Sequence, residues 1–237
     1  MPRKARVVVP NTPHHLVQRG HNKQVVFIER QDYHYYLQNL REWKEKLACK
    51  VYAYCLMTNH IHLIVDPGEE PDNLALLMKR VTGRQTRLVN YLEKRTGSLW
   101  EGRYKSSPID TNEYQLACCR YVELNPVRAK MVDLPEQYEW SSYRAKAGLA
   151  KNDWLDLDPV YLGLGNTVEK QQTRYTEWVH SDIPKHEVDL IRNALQRGQL
   201  TGNTRFVEEV ERKTGQRIEL RGRGRPQKNE RRGTDKK

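Results

Sequence analysis

The feature that most constrains the fold is the stretch from residue 50 to residue 65, where two runs of β-forming residues lie only two residues apart. Residues 50–57 are rich in Val, Tyr and Cys, and residues 60–65 alternate in character, so both runs predict strands. Thr58 and Asn59 are left as the connection, and a connection this short joins only antiparallel strands. The chain therefore predicts an antiparallel sheet that contains this hairpin.

The segments around the hairpin predict the rest of the sheet. Residues 14–19 predict a strand that ends at Gly20, and residues 31–47 carry apolar side chains at helical spacing. A long helix is expected to begin at Asp72 or Asn73, a strand to follow at residues 102–109, and a further helix to begin after Asn112. The first six elements spell βαββαβ, the ferredoxin-like pattern, an α+β fold whose antiparallel sheet carries its helices on one face.

The character of the chain changes after residue 148, which predicts three parts. Residues 1–148 are expected to form the sheet domain, and residues 149–216 a helical C-terminal extension with short helices at 167–180, 185–197 and 204–214. Residues 217–237 read as a Gly/Arg/Lys-rich tail that is disordered without a partner. This tail holds nine Lys and Arg against three Asp and Glu, more than half of the chain's net charge of +11.

The positive charge predicts a polyanion as partner, and nucleic acid is the commonest one. The alternative is a basic surface kept for solubility. No apolar run approaches the roughly 20 residues of a membrane span, and the first residues lack a secretory signal. The four cysteines show no CxxC spacing and are expected to be reduced. We expect no membrane partner and a cytoplasmic location.

Two pairs of residues could carry chemistry. His60 and His62 point to the same face of a predicted strand, where two imidazoles can bind one divalent cation. Tyr121 and Asn125 are spaced as neighbours on a helix, and all four groups converge if that helix packs over the histidine face. The alternatives are two histidines of a half-buried sheet, a core aromatic at Tyr121, and a helix cap at Asn125 before Pro126.

Three motifs carry a resemblance to a known family. They are Met-Thr-Asn-His-Ile-His-Leu-Ile-Val at 57–65, Leu-Trp-Glu-Gly-Arg-Tyr at 99–104 and Cys-Arg-Tyr-Val-Glu-Leu-Asn-Pro-Val-Arg-Ala at 119–129. In this order and spacing the chain, over roughly residues 5–143, resembles the IS200-like family of single-tyrosine HUH transposases. It is most similar to the branch of REP-associated tyrosine transposases.

The resemblance implies the ferredoxin-like fold and an activity. It implies a metal-dependent endonuclease and strand transferase that acts on single-stranded or hairpin DNA of repeated extragenic palindromes through a covalent 5′-phosphotyrosine. Tyr121 would be the nucleophile, and His60, His62 and Asn125 would hold Mg²⁺ or Mn²⁺. Shorter insertion-sequence relatives carry glutamine where this chain has Asn125, and asparagine has a shorter reach.

Further residues are candidates for DNA contact. Arg80, Arg84 and Arg87 share one helix face that could meet phosphates, although a solvated face is the alternative. Trp100, Arg103 and Tyr104 could stack on or clamp an unpaired base, although Trp100 could equally belong to the core. The tail resembles an AT-hook core that could enter the minor groove of an AT-rich duplex, or else a generic basic tail, through Arg221, Arg223 and Arg225.

Other functions remain compatible with the sequence. A domesticated relative that binds DNA and regulates without cutting is the first alternative. A replication initiator or relaxase, and a plain metal-binding ferredoxin-like domain, are the others. The additional C-terminal segment favours a monomer over a homodimer, and the implied substrate favours association with a bacterial nucleoid.

Overall fold

The computed structural model describes residues 6–111 and 113–218. In the sheet domain the strands and helices follow one another in the predicted order. A short irregular segment lies between the first strand and the first helix. The elements are β1 (His14–Arg19), α1 (Arg30–Lys46), β2 (Lys50–Met57), β3 (His60–Asp66), α2 (Asp72–Leu92), β4 (Lys105–Pro108) and α3 (Gln115–Glu123). The fourth strand is shorter than the predicted 102–109, since residues 101–103 form a bend instead. The helix cap expected at Asn112 lies outside the described residues. The same is true of Arg221, Arg223 and Arg225.

The sheet has four strands in the order β2-β3-β1-β4, and every neighbouring pair is antiparallel. Its two central strands are β3 and β1, and β1 pairs with β3 on one side and with β4 on the other. The hairpin predicted from residues 50–65 is confirmed as the β2–β3 pair. This order and the βαββαβ succession are those of the ferredoxin-like fold, so the predicted α+β class is confirmed.

The two faces of the sheet carry different partners because successive side chains of a strand point in opposite directions. Leu16 and Leu63 lie on one face, in a core shared with Leu40 of α1 and Leu77 of α2. The two helices of the βαββαβ unit therefore cover one face, as predicted. The opposite face carries the histidines, and there α3 packs, with Val122 in a second core.

The extension after residue 148 packs against this second face. Its helices follow the short α4 (Asn125–Arg128) and α5 (Tyr143–Lys146), and they are α6 (Pro159–Leu162), α7 (Val168–His180), α8 (Lys185–Arg197) and α9 (Thr204–Thr214). Ile191 of α8 belongs to the same core as α3. Thr201 pairs with Ile109 as an added parallel bridge just beyond β4. Contacts across residue 148 are thus extensive, and the division of the chain there stays a prediction.

A buried polar network fastens α3 to the extension. The Glu123 carboxylate is fully buried, and it accepts hydrogen bonds from Ser142 (2.5 Å) and from the Tyr175 hydroxyl of α7 (2.6 Å). The ammonium group of Lys146, also fully buried, lies 3.3 Å from the same carboxylate. A buried carboxylate is tolerated only when it is paired and hydrogen-bonded in this way, so the network around Glu123 fixes the end of α3. Among the described residues, none of the helices is long and apolar enough to cross a membrane.

Candidate functional site

One cavity of about 650 Å³ brings together the four residues that the sequence singled out for chemistry. It lies where β1, β3 and β4 meet α3 and α4. Its lining includes His60, His62, Tyr121 and Asn125. The convergence expected if the tyrosine helix covered the histidine face is therefore found.

The same ring nitrogen, Nδ1, is engaged by a neighbouring side chain in both histidines. Their ring centroids are 5.2 Å apart, as expected for alternate residues of one strand. Nδ1 of His60 donates to the Asn59 amide oxygen at 2.7 Å, and Nδ1 of His62 lies 2.9 Å from Nε2 of His15. With both Nδ1 atoms engaged, Nε2 is the nitrogen of each ring left for a cation.

Burial keeps both imidazoles in the neutral form that binds cations. Burial, with Arg19 nearby, lowers the pKa of His60 to about 4. Burial also lowers the pKa of His62 well below its usual range, and the neighbouring His15, His60 and arginines act in the same direction. Since a protonated imidazole cannot ligate a metal, these shifts keep the site competent at neutral and mildly acidic pH.

Tyr121 packs edge-on against the histidines. Its ring centroid lies 5.6 Å from that of His15 and 6.2 Å from that of His62. The guanidinium of Arg128, the last residue of α4, stacks on the Tyr121 ring. Its carbon Cζ lies 4.0 Å from the ring centroid. Arg128 also donates to the Tyr121 carbonyl at 2.6 Å. The position of the phenol is thus held by contacts with both a strand and the following helix.

Asn125 turns its amide oxygen away from the backbone. Its amide nitrogen donates to the carbonyls of Tyr121 (3.1 Å) and Val122 (3.0 Å). Leu124 separates α3 from α4, and Asn125 is the first residue of α4 rather than its cap. Because Nδ2 is used by the backbone, the oxygen is the amide atom left for the cavity that Asn125 lines.

These groups fit a divalent cation with a mixed donor set. Two imidazole nitrogens and one amide oxygen suit Mn²⁺ or Mg²⁺ and leave coordination positions for phosphate and water. Over residues 6–111 and 113–218, no cluster of three or more His, Cys, Asp or Glu side chains could hold a metal. Glu101, a carboxylate that the sequence did not single out, also lines the cavity.

The rim of the cavity is cationic. Of its basic residues only Arg103 was predicted, and the others are Arg6, Arg19, Lys105 and Arg192. The strand alternation contained a signal for two of them, because Arg19 and Lys105 share the face of Val17, which is paired with His62. Sequence spacing held no such signal for Arg192, which comes from α8.

The arginines predicted on α2 lie on the other side of the sheet. Arg84 is bonded to Asn39 and Glu42 of α1, and the Arg80 guanidinium lies 4.8 Å from the Trp43 ring centroid. Arg87 is exposed on the same helix. Any phosphate that they meet would therefore belong to DNA outside the cavity, and their part in DNA binding stays a prediction.

The two aromatic residues predicted to meet a base are largely buried. Trp100 is 5% exposed, and its indole N–H donates to the Thr82 carbonyl at 3.1 Å. Tyr104 lines the cavity with the Arg6 guanidinium 3.9 Å above its ring centroid. Trp100 therefore has a structural contact of its own. Base stacking by either ring stays a prediction.

Comparisons with known proteins agree with this architecture. Residues 8–125 match the family model described as Transposase IS200 like. A Haemophilus influenzae protein named for the REP-associated tyrosine transposases is 25% identical over 125 residues, which cover 46% of this chain and 71% of that protein. Its name and the family model agree with the motifs at 57–65, 99–104 and 119–129.

One solved structure of a relative shows the same fold. A REP-associated tyrosine transposase bound to a REP hairpin superposes with a TM-score of 0.54 at 13% identity, covering 67% of this chain and 99% of that one. A Deinococcus radiodurans protein described as a transposase gives a TM-score of 0.35 at 19% identity, over 49% of this chain and 91% of that one. The chain belongs to the IS200-like transposase family, and the REP-associated tyrosine transposases are the members it resembles in both sequence and fold.

Proposed function

We propose that this chain is a metal-dependent single-strand DNA endonuclease and strand transferase with Tyr121 as its nucleophile. The observation that carries the proposal is the Tyr121 ring beside His62, 6.2 Å between centroids, in a cavity with a cationic rim. A phenol next to a cation site suits attack on a phosphodiester, and basic side chains suit the polyanion that contains it.

The charge of the phosphodiester is the first obstacle, because it repels a nucleophile. Arg19 and Lys105 reach the cavity from the strand ends and offset part of this charge. His60, His62 and Asn125 would hold Mg²⁺ or Mn²⁺, which when bound supplies Lewis acidity at a phosphate oxygen. Imidazole favours Mn²⁺ and the amide oxygen accommodates Mg²⁺, so both ions are candidates.

Tyr121 then carries the covalent step. Its phenolic oxygen forms a bond to phosphorus, the bond from phosphorus to the 3′ oxygen breaks, and the phenolic proton leaves to water while the 3′ oxygen gains one. The product is a 5′-phosphotyrosine and a free 3′ hydroxyl. Arg128 stacked on the ring holds the phenol in place beside the histidines. The phosphotyrosine retains the energy of the phosphodiester, so rejoining needs no nucleotide cofactor.

The proposed substrate is hairpin DNA of repeated extragenic palindromes with a single-stranded flank. A solved relative of the same fold is bound to a REP hairpin, and the single nucleophile of this chain suits one strand at a time. The cavity lies within one chain, so we also propose a monomer. Arg80, Arg84 and Arg87 of α2 stay candidates for contacts with the hairpin stem, and a role near the nucleoid follows from the substrate.

A cleavage assay tests this proposal. The substrate is a hairpin oligonucleotide from the host's own repeats, labelled at its 3′ end so that the label stays with the fragment joined to tyrosine. We expect a covalent adduct with Mn²⁺ that is lost with chelator and in Tyr121→Phe. Tyr114→Phe is the matched control, since Tyr114 immediately precedes α3 and does not line the cavity. Binding without cleavage across many repeats would instead indicate a regulatory DNA-binding protein.

The basic tail is proposed as a second DNA contact. Arg221, Arg223 and Arg225 lie in a Gly/Pro context that suits the narrow minor groove of AT-rich duplex. Deleting residues 222–237 is expected to weaken duplex binding and to flatten its salt dependence, because fewer counterions are released. An unchanged salt slope would contradict this role.

A further inference from the structure

We infer that the C-terminal extension is part of the DNA-binding cavity, and that Arg192 of α8 binds a backbone phosphate of the single strand next to the one that reacts. This inference rests on the proposed function and adds a residue to it. The family match ends at residue 125. Helix α8, which forms one wall of the cavity, therefore lies outside the matched region.

The position of α8 over the sheet is firmly held. Near its start, Glu187 forms an ion pair with Arg120 of α3 (2.8 Å), whose side chain is only 3% exposed. One turn later Ile191 is buried in the core that also contains Tyr121. Leu195 continues the same stripe at a spacing of four residues, as a helix packed on a sheet requires. A wall anchored at three successive turns is pre-organised for a ligand.

The same anchoring aims the neighbouring side chains of α8 at the cavity. Arg192 and Gln196 follow Ile191 and Leu195 by one residue each, and both line the cavity together with Leu195. Arg120 is held from a second direction as well, since it donates to the Trp178 carbonyl at the end of α7 and lies 4.0 Å from the Trp178 ring centroid. The extension therefore both clamps the tyrosine helix and forms one side of the cavity.

The charges of the cavity lining, together with Arg128 on the Tyr121 ring, favour binding of an anion. Arg192 is close enough to Arg128 that, after burial, it contributes to lowering the pKa of Arg128. Nη1 of Arg128 is buried with no hydrogen-bond partner, although Nη2 is bonded to the Tyr121 carbonyl. Against the several basic groups of the rim, the lining contains one carboxylate, that of Glu101. Like charges gathered around one cavity are unfavourable until an anion occupies it, and guanidinium groups match phosphate in geometry.

The size of the cavity indicates which form of DNA it takes. About 650 Å³ is the volume of an ordinary small-molecule pocket, so it accommodates a nucleotide or two of unpaired strand rather than a duplex. Because α8 packs beside α3 in one core, with the reacting phosphate beside Tyr121 the wall formed by α8 meets the neighbouring phosphate along the DNA strand. Arg192 is the cation on that wall.

The test measures binding without cleavage. Tyr121→Phe provides a background that keeps the strand intact, and the probe is a fluorescent hairpin oligonucleotide with a single-stranded flank. We compare Arg192→Gln with Arg197→Gln, an exposed arginine in the last turn of the same helix that does not line the cavity. For Arg192→Gln we expect Kd to rise about tenfold at low salt, and the salt slope to lose about 0.7, the value of one phosphate contact on single-stranded DNA.

Arg192→Lys restores the salt slope if the contact is with a phosphate, because a lysine keeps the charge. Equal effects of Arg192→Gln and Arg197→Gln would overturn the inference, as would an unchanged slope in Arg192→Gln. Thermal unfolding of each variant shows that the fold is intact. Because no cleavage is needed, a wild-type chain that fails to cut DNA refutes the proposed chemistry while leaving the Arg192 contact to be decided by the binding data.

Discussion

The contact between His15 and His62 leads to a prediction about metal affinity. His15 is fully buried on β1, with Nε2 at 2.9 Å from Nδ1 of His62. If Nε2 of His62 binds the cation, its Nδ1 carries the proton and must donate it to His15. In His15→Leu that N–H is buried without an acceptor. The metal-free protein escapes the cost by moving the proton to Nε2 of His62, a residue that lines the cavity, so the penalty falls on the metal-bound state.

The size of the effect follows from the cost of an unpaired buried donor. That cost is about 1–3 kcal/mol, and each 1.4 kcal/mol is a factor of ten in affinity. We therefore expect the Kd for Mn²⁺ to rise about 5- to 150-fold in His15→Leu, in agreement with the range known for residues that orient metal ligands. His15→Gln offers an amide oxygen to the same N–H and is expected to stay within about threefold of wild type.

The assay is calorimetric titration of each folded variant with Mn²⁺ in the absence of DNA. His14→Leu is the matched control. His14 is also fully buried on β1 but points to the other face of the sheet, where it is bonded to the Val9 amide and the Thr12 carbonyl. We expect His14→Leu to lose stability and to keep its affinity for Mn²⁺. Equal affinities in wild type and His15→Leu, or equal losses in the two leucine variants, would refute the reasoning.

Three further predictions concern stability. Lys146→Met removes the cation 3.3 Å from the buried Glu123 carboxylate, so we expect the free energy of unfolding to fall by about 3–5 kcal/mol in urea denaturation, and a loss below about 1 kcal/mol would contradict the network. Burial lowers the pKa of His14 to about 4 and that of His15 to about 3. Below about pH 6.5 the unfolded chain therefore takes up protons that the folded chain does not, and each histidine should cost about 1.4 kcal/mol per pH unit down to about pH 4. Equal unfolding free energies at pH 7.5 and 5.5 would argue against this. Gly20→Ala, just after the end of β1, places a Cβ 2.3 Å from the backbone carbonyl oxygen of Gln24, and we expect a lower Tm by differential scanning calorimetry, with an unchanged Tm as the contrary result.

Much of the sheet could be predicted because its signals are local. Alternation over residues 60–65 and the two-residue turn before them require an antiparallel hairpin, and β2 and β3 form it. The same alternation predicted that His60 and His62 share a face. The fourth strand was predicted too long, since the residues around Gly102 have no sheet partner beyond a single bridge at Trp100. Strand ends depend on what lies alongside them, which a local pattern does not contain.

The sequence predicted only part of the structure around the tyrosine helix. Spacing predicted that Tyr121 and Asn125 would face the same place, and both line the cavity. The spacing did not predict the joint at Leu124, where α3 ends and α4 begins. Pro126 lacks an N–H and disfavours helical geometry in the residue before it, which accounts for a break at this point. The break turns the Asn125 amide so that its nitrogen, rather than its oxygen, meets the backbone.

The sequence by itself determined the period of each element, the pairing of two histidines on one strand face, the spacing of tyrosine and asparagine, and the excess of positive charge. Only the tertiary structure decided that His15 supports His62 across 47 residues of chain, and that Arg192 of the extension reaches the same cavity. Local spacing specifies which side chains share a face. Which faces then meet depends on how the helices of the extension pack on the sheet, and that packing is set by buried contacts between segments far apart in the chain.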